Sequence, residues 1–352
     1  MKRREIEKEY KKSIKNSSLV DLKDYQFKDE PITVSVLCLC YNHEKYIKRC
    51  IECFLKQKVN FNVEILIHDD ASTDLSQSII KKYSELYPFI KPVFQKENQY
   101  NKGVNIENSI LSKIAKGKYI AICEGDDYWT DPYKIITQVS LYESHSDVHF
   151  IVHKTGNYDI NGNRLGFIPR NRMKSGIYSR EQIVPTLIET YLFHTTSYMF
   201  KTEEYKKYCE NLPLFAKEMS VGDYALQLYF SNLGNIIYIN KEMSAHVYNV
   251  PGSWTDKSHK NDYDASIKHQ EEMNHCMKLF DEYTSNQFHR NLENRFNKFE
   301  MHKLYNDNKF PEIVHNKNYS KALKKYDYRS YLSICLRVRF PLLFKFFKKF
   351  NH

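Results

Sequence analysis

Short apolar runs alternate with polar segments through the first third of the chain. A run without a polar face covers residues 32–40, and mostly apolar runs cover residues 63–68 and 118–123. Such runs are typical of parallel strands that are buried on both faces of a sheet. Apolar residues recur at helical spacing over 46–55 and 79–83, and a further strand is predicted at 91–95. Repeated strand–helix units of this kind predict an α/β fold with a doubly wound, mainly parallel sheet.

Carboxylates crowd the end of the third apolar run. Glu124, Asp126 and Asp127 fall within four positions, and Gly125 separates the first two. The carboxyl ends of parallel strands face the crevice in which open α/β sheets bind ligands. Carboxylates this close repel one another unless a cation lies among them, and hard oxygen ligands suit Mg²⁺ or Mn²⁺. The cluster therefore predicts a divalent metal site that also holds a diphosphate, and the alternative is an acidic surface turn.

Polar residues also follow the first two apolar runs. Tyr41, Asn42 and Glu44 come after the first run, and Asp69 and Asp70 come after the second. Because parallel strands end at one edge of a sheet, we expect these residues to lie beside the acidic cluster.

The pattern changes after about residue 147. Strand pieces begin at 148–153, and a turn is predicted at 161–163. Gly117, before the acidic strand, is predicted to close a helix in a C-cap position. A further helix is predicted to begin at Gly222-Asp223, and helical patterns without a catalytic signature dominate after 257.

Composition narrows the class of protein. The chain has 352 residues, 41% of them hydrophobic, which suffices for a packed core. Eight scattered cysteines suggest no disulfide framework, so we expect a reducing compartment. The N-terminal residues lack the apolar core of a secretory signal, and no apolar run is long enough to span a membrane.

The net charge is +10, and the basic end at 331–350 mixes large apolar residues with cations. This mixture predicts either a segment lying on an anionic membrane or a helix covering the core.

Four segments together resemble family 2 glycosyltransferases with the GT-A fold. They are residues 36–44 (VLCLCYNHE), 63–74 (VEILIHDDASTD), 115–132 (AKGKYIAICEGDDYWTDP) and 221–224 (VGDY). The resemblance covers about residues 33–255. It implies a Rossmann-like GT-A fold with a mainly parallel central sheet flanked by helices, and a helical basic C-terminal extension follows. It also implies a nucleoside-diphosphate sugar donor, with a UDP-sugar favoured, and a divalent cation, Mn²⁺ or Mg²⁺.

The resemblance assigns donor-binding roles to the residues after the first two strands. Tyr41 would lie against the nucleobase, with Asn42 and Glu44 as polar anchors, and Asp69 and Asp70 would bond the base or the ribose. Each assignment has a structural alternative. Tyr41 can be a packed aromatic residue of the turn, and either aspartate can cap the following helix.

The resemblance also assigns the metal site. The family's Asp-x-Asp-Asp aligns with 124–127, so this chain departs from it by placing Glu124 at the first position. Glu124 would contact the ribose or metal-bound water, and Asp126 is the leading metal ligand, with Asp127 second. His246 stands where relatives often have tyrosine, and it is either a metal or phosphate contact or a structural histidine.

Asp223 corresponds to the family's general base. It would accept the proton of the acceptor hydroxyl, and single displacement would invert the anomeric configuration. The alternative is a carboxylate that only stabilises the helix N-terminus.

These observations predict four regions and a location. The regions are a charged N-terminal arm at 1–30, a nucleotide-sugar-binding half at 31–145, an acceptor-side half at 146–256, and a helical basic region at 257–352 that could associate with a membrane. The predicted partners are the sugar donor, a glycan or lipid-linked glycan acceptor and an anionic membrane surface, without nucleic acid. We expect a cytoplasmic protein on the inner face of the cell membrane that extends a lipopolysaccharide, capsule or wall polymer. The alternatives are a nucleotidyltransferase and a catalytically degenerate scaffold that binds sugar nucleotides.

Overall fold

The computed structural model describes residues 3–16, 18–102, 110–170, 173–251 and 263–341, and the predicted tail beyond 341 lies outside them. The strands in this part of the chain are β1 (Val20–Asp21), β2 (Val34–Cys40), β3 (Lys58–Val59), β4 (Val63–Asp69), β5 (Ile90–Phe94), β6 (Tyr119–Ile122), β7 (Tyr128–Trp129), β8 (Val148–Tyr158), β9 (Arg164–Ile168), β10 (Gly176–Tyr178), β11 (Met199–Lys201) and β12 (Asn235–Val247).

The helices in the same ranges are α1 (Arg3–Ile14), α2 (Ile47–Leu55), α3 (Ser76–Leu86), α4 (Ser112–Ile114), α5 (Lys134–Ser144), α6 (Arg180–Glu189), α7 (Thr202–Glu210), α8 (Leu214–Glu218), α9 (Gly222–Leu233), α10 (Tyr263–Tyr283), α11 (His289–Asn306), α12 (Phe310–His315), α13 (Lys317–Tyr326) and α14 (Tyr328–Arg339). The predicted helical C-terminal extension is therefore present.

Ten of the described strands form one mixed sheet. Its order is β10-β12-β8-β11-β6-β2-β4-β5, and β7 and β9 pair with β12 and β8. Strands β6, β2, β4 and β5 run parallel to one another, and Leu37 of β2 pairs with both Leu66 and Ile122. These are the strands predicted from the apolar runs, so the α/β fold with a parallel central sheet is confirmed.

The central strands are buried on both faces because each side of the sheet is covered. Every residue of β4 is buried. In β2, Leu37 belongs to the core that also contains residues of α6 and α9, whereas Val36 and Cys38 belong to the second core, which contains residues of α2. The buried Cys50 and Cys53 of α2 belong to this second core, and the chain's cysteines are free thiols. They behave as small apolar side chains there.

Strand β12 brings the second half of the chain back to the acidic segment. It runs parallel to β8, and near its end Ser244 and Ala245 pair with Trp129 and Tyr128 of β7. Since β7 directly follows Asp127, the next residue of β12, His246, is placed opposite that carboxylate. The predicted turn at 161–163 joins the antiparallel strands β8 and β9, and its Gly162 has a φ of +83°.

The prediction for Gly117 was wrong. Helix α4 ends at Ile114, and Ala115 occupies the C-cap position. A Cβ added to Gly117 would lie 2.4 Å from the backbone nitrogen of Ser35. The glycine therefore permits the chain to pass close against β2 as it enters β6, which is a requirement of packing and not of helix termination.

Both ends of the described chain pack on the domain. Ile6 of α1 is buried, and the Tyr10 hydroxyl donates to Asp131 (2.9 Å). Helix α10 contributes Met273 and Phe280 to the main core, while helices α11 to α14 share a smaller core of their own. Within the described ranges, we find no helix with the length and apolar character that crossing a bilayer requires.

Candidate active site

A large cavity opens at the carboxyl edge of the parallel strands. Its volume is about 2030 Å³. One wall consists of residues that follow β2, β4 and β6, and the other is formed by the start of α9 and by faces of α10 and α11. A cavity of this size has room for two substrates side by side, because single-ligand pockets are about 300–1,000 Å³.

Tyr41 and Asn42 lie at the entrance of the first wall. Tyr41 is 44% exposed and lines the cavity with its ring. Asn42 also lines the cavity and has a positive φ of 56°. Its Oδ1 accepts a hydrogen bond from the backbone of Thr73 (2.8 Å), which ties the loop after β2 to the loop after β4. The exposed ring of Tyr41 is thus available to a ligand, as the predicted stacking on a base requires.

Glu44 and Asp69 are not among the described residues that line the cavity. The Glu44 carboxylate accepts from the backbone of Leu75 (3.1 Å). The buried Asp69 carboxylate accepts from the Ser72 hydroxyl (2.5 Å) and the Gln77 amide (2.7 Å). Both carboxylates therefore bind the loop after β4 and the start of α3. They support this part of the structure without lining the cavity themselves.

Asp70 does line the cavity. Its two carboxylate oxygens accept from the backbone N–H groups of Gln99 (2.7 Å) and Tyr100 (3.0 Å). These bonds fix the carboxylate at the strand end and leave lone pairs of each oxygen for further donors.

The acidic segment after β6 projects into the same space. Glu124 and Asp126 line the cavity, and the Thr195 hydroxyl donates to Glu124 (3.3 Å). The Asp126 carboxylate lies 3.8 Å from Nε2 of His43. Gly125 is required between them, because an added Cβ would lie 2.9 Å from His43 Nδ1 and 3.0 Å from the Leu39 carbonyl oxygen.

Asp127 is buried between two histidines. Its Oδ1 accepts from the Val247 backbone N–H (2.8 Å) and lies 3.3 Å from Nδ1 of His246. Its Oδ2 lies 3.7 Å from Nδ1 of His194 and has no hydrogen-bond partner within the described residues, although it is buried. The two imidazole rings are themselves close, with centroids 4.1 Å apart.

The charge pattern of these groups fits a cation. Burial raises the pKa of Asp127, and His246 offsets this only in part. Burial lowers the pKa of His246, but the carboxylates of Asp127, Asp126 and Asp223 outweigh it, so the net shift is upward. Burial and the neighbouring His246 hold the pKa of His194 well below its usual value, which keeps a neutral ring able to donate a lone pair.

Two sets of ligand atoms are close enough to hold a metal ion. One set is Asp127, His194 and His246, and the other is Glu124, Asp126 and Asp127. Within each set the ligand atoms lie no more than 4.8 Å apart, and both sets include Asp127, whose Oδ2 has no hydrogen-bond partner within the described residues. An orphaned, buried carboxylate oxygen costs free energy unless something binds it, so the residues fit a divalent cation.

Asp223 lies in the first turn of α9 and faces the cavity. The Tyr191 hydroxyl donates to its Oδ2, and the Tyr198 hydroxyl donates to its backbone carbonyl (3.3 Å). Burial raises the pKa of Asp223, and the bond from Tyr191 opposes that rise. A carboxylate of raised pKa at a cavity surface is suited to accept a proton.

Sequence reasoning overlooked several residues that surround these groups. His43 and Tyr191 were assigned no role, and His194 was not placed at the metal site. Tyr191 lies 32 positions from Asp223 and His194 lies 67 positions from Asp127, so no local spacing indicates the contacts. The partners become visible only when β12 and the loop after α6 have been placed.

The fold and the site together define a class. A parallel sheet that ends in an acidic segment, with an antiparallel half supplying the opposite wall, is the GT-A glycosyltransferase fold. Residues 35–206 match the family described as glycosyl transferase family 2. Residues 35–206 thus form a family 2 glycosyltransferase domain.

Similarity to curated proteins is concentrated in part of the chain. An uncharacterized protein of Mycobacterium tuberculosis is 39% identical over 121 residues, which is 34% of either chain. The UDP-Glc:alpha-D-GlcNAc-diphosphoundecaprenol beta-1,3-glucosyltransferase of Escherichia coli is 36% identical over 111 residues, which cover 32% of this chain and 41% of that enzyme. The matches therefore span between a third and about two fifths of the length of these relatives.

A solved structure shows the same fold over most of the chain. TarS 1-349 of Staphylococcus aureus, crystallised with UDP-GlcNAc, superposes with a TM-score of 0.52 over 88% of this chain and 92% of that chain. The sequences are 17% identical, so the likeness concerns the fold alone.

Proposed function

We propose that this protein is a metal-dependent, inverting glycosyltransferase that transfers a sugar from a UDP-sugar to a hydroxyl group of a growing surface glycan. The observation that carries the proposal is that Asp126, His246 and Asp223 line one cavity. The acidic segment and the candidate base thus face the same space, as action on one donor and one acceptor requires.

Two similarities support a UDP-sugar donor and a lipid-linked or polymeric acceptor. The TarS structure with the same fold contains UDP-GlcNAc, and the Escherichia coli relative is named for UDP-Glc and a diphosphoundecaprenol-linked acceptor. In this chain, the exposed Tyr41 ring and the oriented Asp70 carboxylate would bind the nucleoside. Glu124 would contact the ribose.

The proposed reaction needs one proton acceptor and one leaving group. The acceptor oxygen forms a bond to the anomeric carbon, its proton passes to Asp223, and the bond from that carbon to the diphosphate breaks on the opposite face. A divalent cation would be held either by Glu124, Asp126 and Asp127 or by Asp127, His194 and His246. When bound, that cation supplies positive charge to the leaving diphosphate.

A donor screen tests the proposal. Binding and hydrolysis of UDP-, GDP-, CMP- and dTDP-sugars would be measured on the full chain with Mn²⁺, with Mg²⁺ and with a chelator. We expect metal-dependent binding of one class of donor, with UDP-sugars favoured. Failure to bind any sugar nucleotide would contradict the proposal and would favour a scaffold without this activity.

Replacing Tyr191 by Phe is expected to move the acid limb of the pH–rate profile to higher pH. The Tyr191 hydroxyl holds the pKa of Asp223 down, so its removal raises that pKa further and protonates the base at a higher pH. At pH values above the acid limb, the rate should change little. Measuring kcat from pH 5 to 9 at saturating donor checks this, and an unmoved limb would contradict the role of Tyr191.

We also propose that α14 rests on an anionic membrane surface. Leu332, Leu336 and Phe340 are 46%, 40% and 55% exposed and recur at a spacing of four residues, and Arg329 and Arg339 are exposed on the same helix. Apolar residues flanked by cations suit the boundary between headgroups and acyl chains.

Vesicle sedimentation tests this membrane contact. Sedimentation of the protein with phosphatidylglycerol vesicles should exceed that with phosphatidylcholine vesicles and should fall in the double variant Leu332→Ser, Leu336→Ser. Equal sedimentation of variant and wild type would contradict this.

A further inference from the structure

One face of α11 places cations along the far wall of the cavity. Arg295, Lys298 and His302 are spaced by three and four residues, so they share one face of the helix. All three line the cavity. At about 1.5 Å of rise per residue they extend about 10 Å along it. Burial and Lys298 lower the pKa of His302, so the positive charge on this face is carried by Arg295 and Lys298. We call these three residues the cationic stripe.

The cationic stripe begins near α9, the helix that carries the candidate base. The guanidinium of Arg295 donates to the Ile188 carbonyl (2.8 Å) and to the Asn274 side chain (2.7 Å), so its position is fixed. Burial raises the pKa of Tyr224 to about 12, and Arg295 opposes that rise. Arg295 therefore lies close to the residue that directly follows Asp223.

Within the described residues, the charge of the stripe is poorly compensated. The Lys298 ammonium lies 4.0 Å from the centroid of the Tyr326 ring. Glu189 is the carboxylate that acts on Lys298, but it already accepts from the Tyr326 hydroxyl (3.0 Å) and pairs with Lys325 (3.4 Å). Burial lowers the pKa of Lys298, Glu189 opposes this, and Arg295 and Lys325 lower it further. An anion entering the cavity here would relieve repulsion among these cations.

We propose that the cationic stripe binds a phosphate group of the acceptor, in the same cavity as the hydroxyl that Asp223 deprotonates. This inference rests on the proposed function and names the class of acceptor, a glycan joined through phosphate. Lysine and arginine together favour phosphate, because it offers several strong acceptor oxygens and more charge than a carboxylate. Either a lipid diphosphate or a phosphodiester of a polymer supplies this chemistry.

Calorimetric titration of the full chain tests the proposal after the donor half has been saturated with UDP and Mg²⁺. The probes are farnesyl diphosphate, glucose 1-phosphate, glucuronic acid and glucose. We expect at least one phosphate probe to bind about tenfold or more tightly than glucose and glucuronic acid, and Lys298→Gln to remove most of that difference. Binding of farnesyl diphosphate alone indicates a lipid diphosphate, whereas binding of both phosphate probes indicates recognition of phosphate itself.

Lys303→Gln is the matched control, since Lys303 lies on the same helix but pairs with Glu271 (3.3 Å) outside the cavity. His302→Gln provides a second test at an exposed position, where misfolding is not expected. Absence of phosphate binding, glucuronic acid binding as tight as phosphate, or an equal loss in Lys303→Gln would overturn the inference. In each of these cases UDP binding would persist, whereas its absence at the first step would contradict the proposed function instead.

Discussion

Replacing Asp223 by Asn is expected to lower the rate of sugar transfer by about 10³-fold, because general bases contribute about 10²–10⁴-fold. Asparagine keeps the shape of the side chain and an oxygen that can accept from Tyr191, so the start of α9 should stay folded. The affinity for the donor should be unchanged, since Asp223 acts on the acceptor hydroxyl. Steady-state transfer and donor titration on the same preparation separate the two quantities.

Glu181→Gln is the control for this experiment. Glu181 is also a carboxylate in the first turn of a helix, but it belongs to α6, pairs with Ser179 and does not line the cavity. Its replacement should leave transfer intact. A transfer rate for Asp223→Asn within about tenfold of the wild type would show that Asp223 only stabilises its helix, which is the alternative that the sequence left open.

The parallel half of the sheet could be predicted because its signal is local. Each residue of β4 is buried, its central residues Ile65 to Ile67 are therefore apolar, and the strand is flanked by polar turns. Asp70 and Asp126 follow such strands directly, so the same argument placed them at the edge where the cavity opens. Gly117 shows the limit, since its need for space comes from Ser35, which lies 82 positions earlier in the sequence.

Roles within the predicted site could not be separated by sequence. Glu44 and Asp70 both follow a strand and both carry a carboxylate. The structure turns Glu44 toward the loop at Leu75 and turns Asp70 toward the cavity. Which way a loop carboxylate faces depends on the backbone N–H groups nearby, and these belong to other loops.

The far wall of the cavity could not be predicted from sequence either. The helices after 257 have an ordinary amphipathic pattern, so their residues were predicted to serve packing or a membrane surface. The packing of α10 and α11 against the core is what brings Arg295 and Lys298 to the cavity. A stripe of cations at helical spacing was the one sequence signal available, and it does not reveal which surface the helix covers.

Replacing Asp127 by Asn is expected to weaken metal-dependent UDP binding by about 100-fold or more. Asp127 belongs to both candidate ligand sets, so its carboxylate is needed whichever set holds the cation. Asparagine retains an acceptor for the Val247 N–H, which limits damage to the fold. Asp147→Asn, at an exposed position away from the cavity, is the control. Titration with UDP at a fixed Mn²⁺ concentration, repeated with a chelator, gives the metal-dependent part of UDP binding.

Two further variants decide which ligand set holds the cation. If Glu124, Asp126 and Asp127 do so, Asp126→Asn should match the loss seen in Asp127→Asn, and Mg²⁺ should replace Mn²⁺, because Mg²⁺ prefers oxygen ligands. If the histidine set does so, His246→Gln should cause the larger loss, and Mg²⁺ should support binding poorly. The predicted first ligand, Asp126, is tested by the same comparison. Unchanged metal-dependent UDP binding in Asp127→Asn would contradict both sets, because the unpartnered Oδ2 of Asp127 would then have no ligand role.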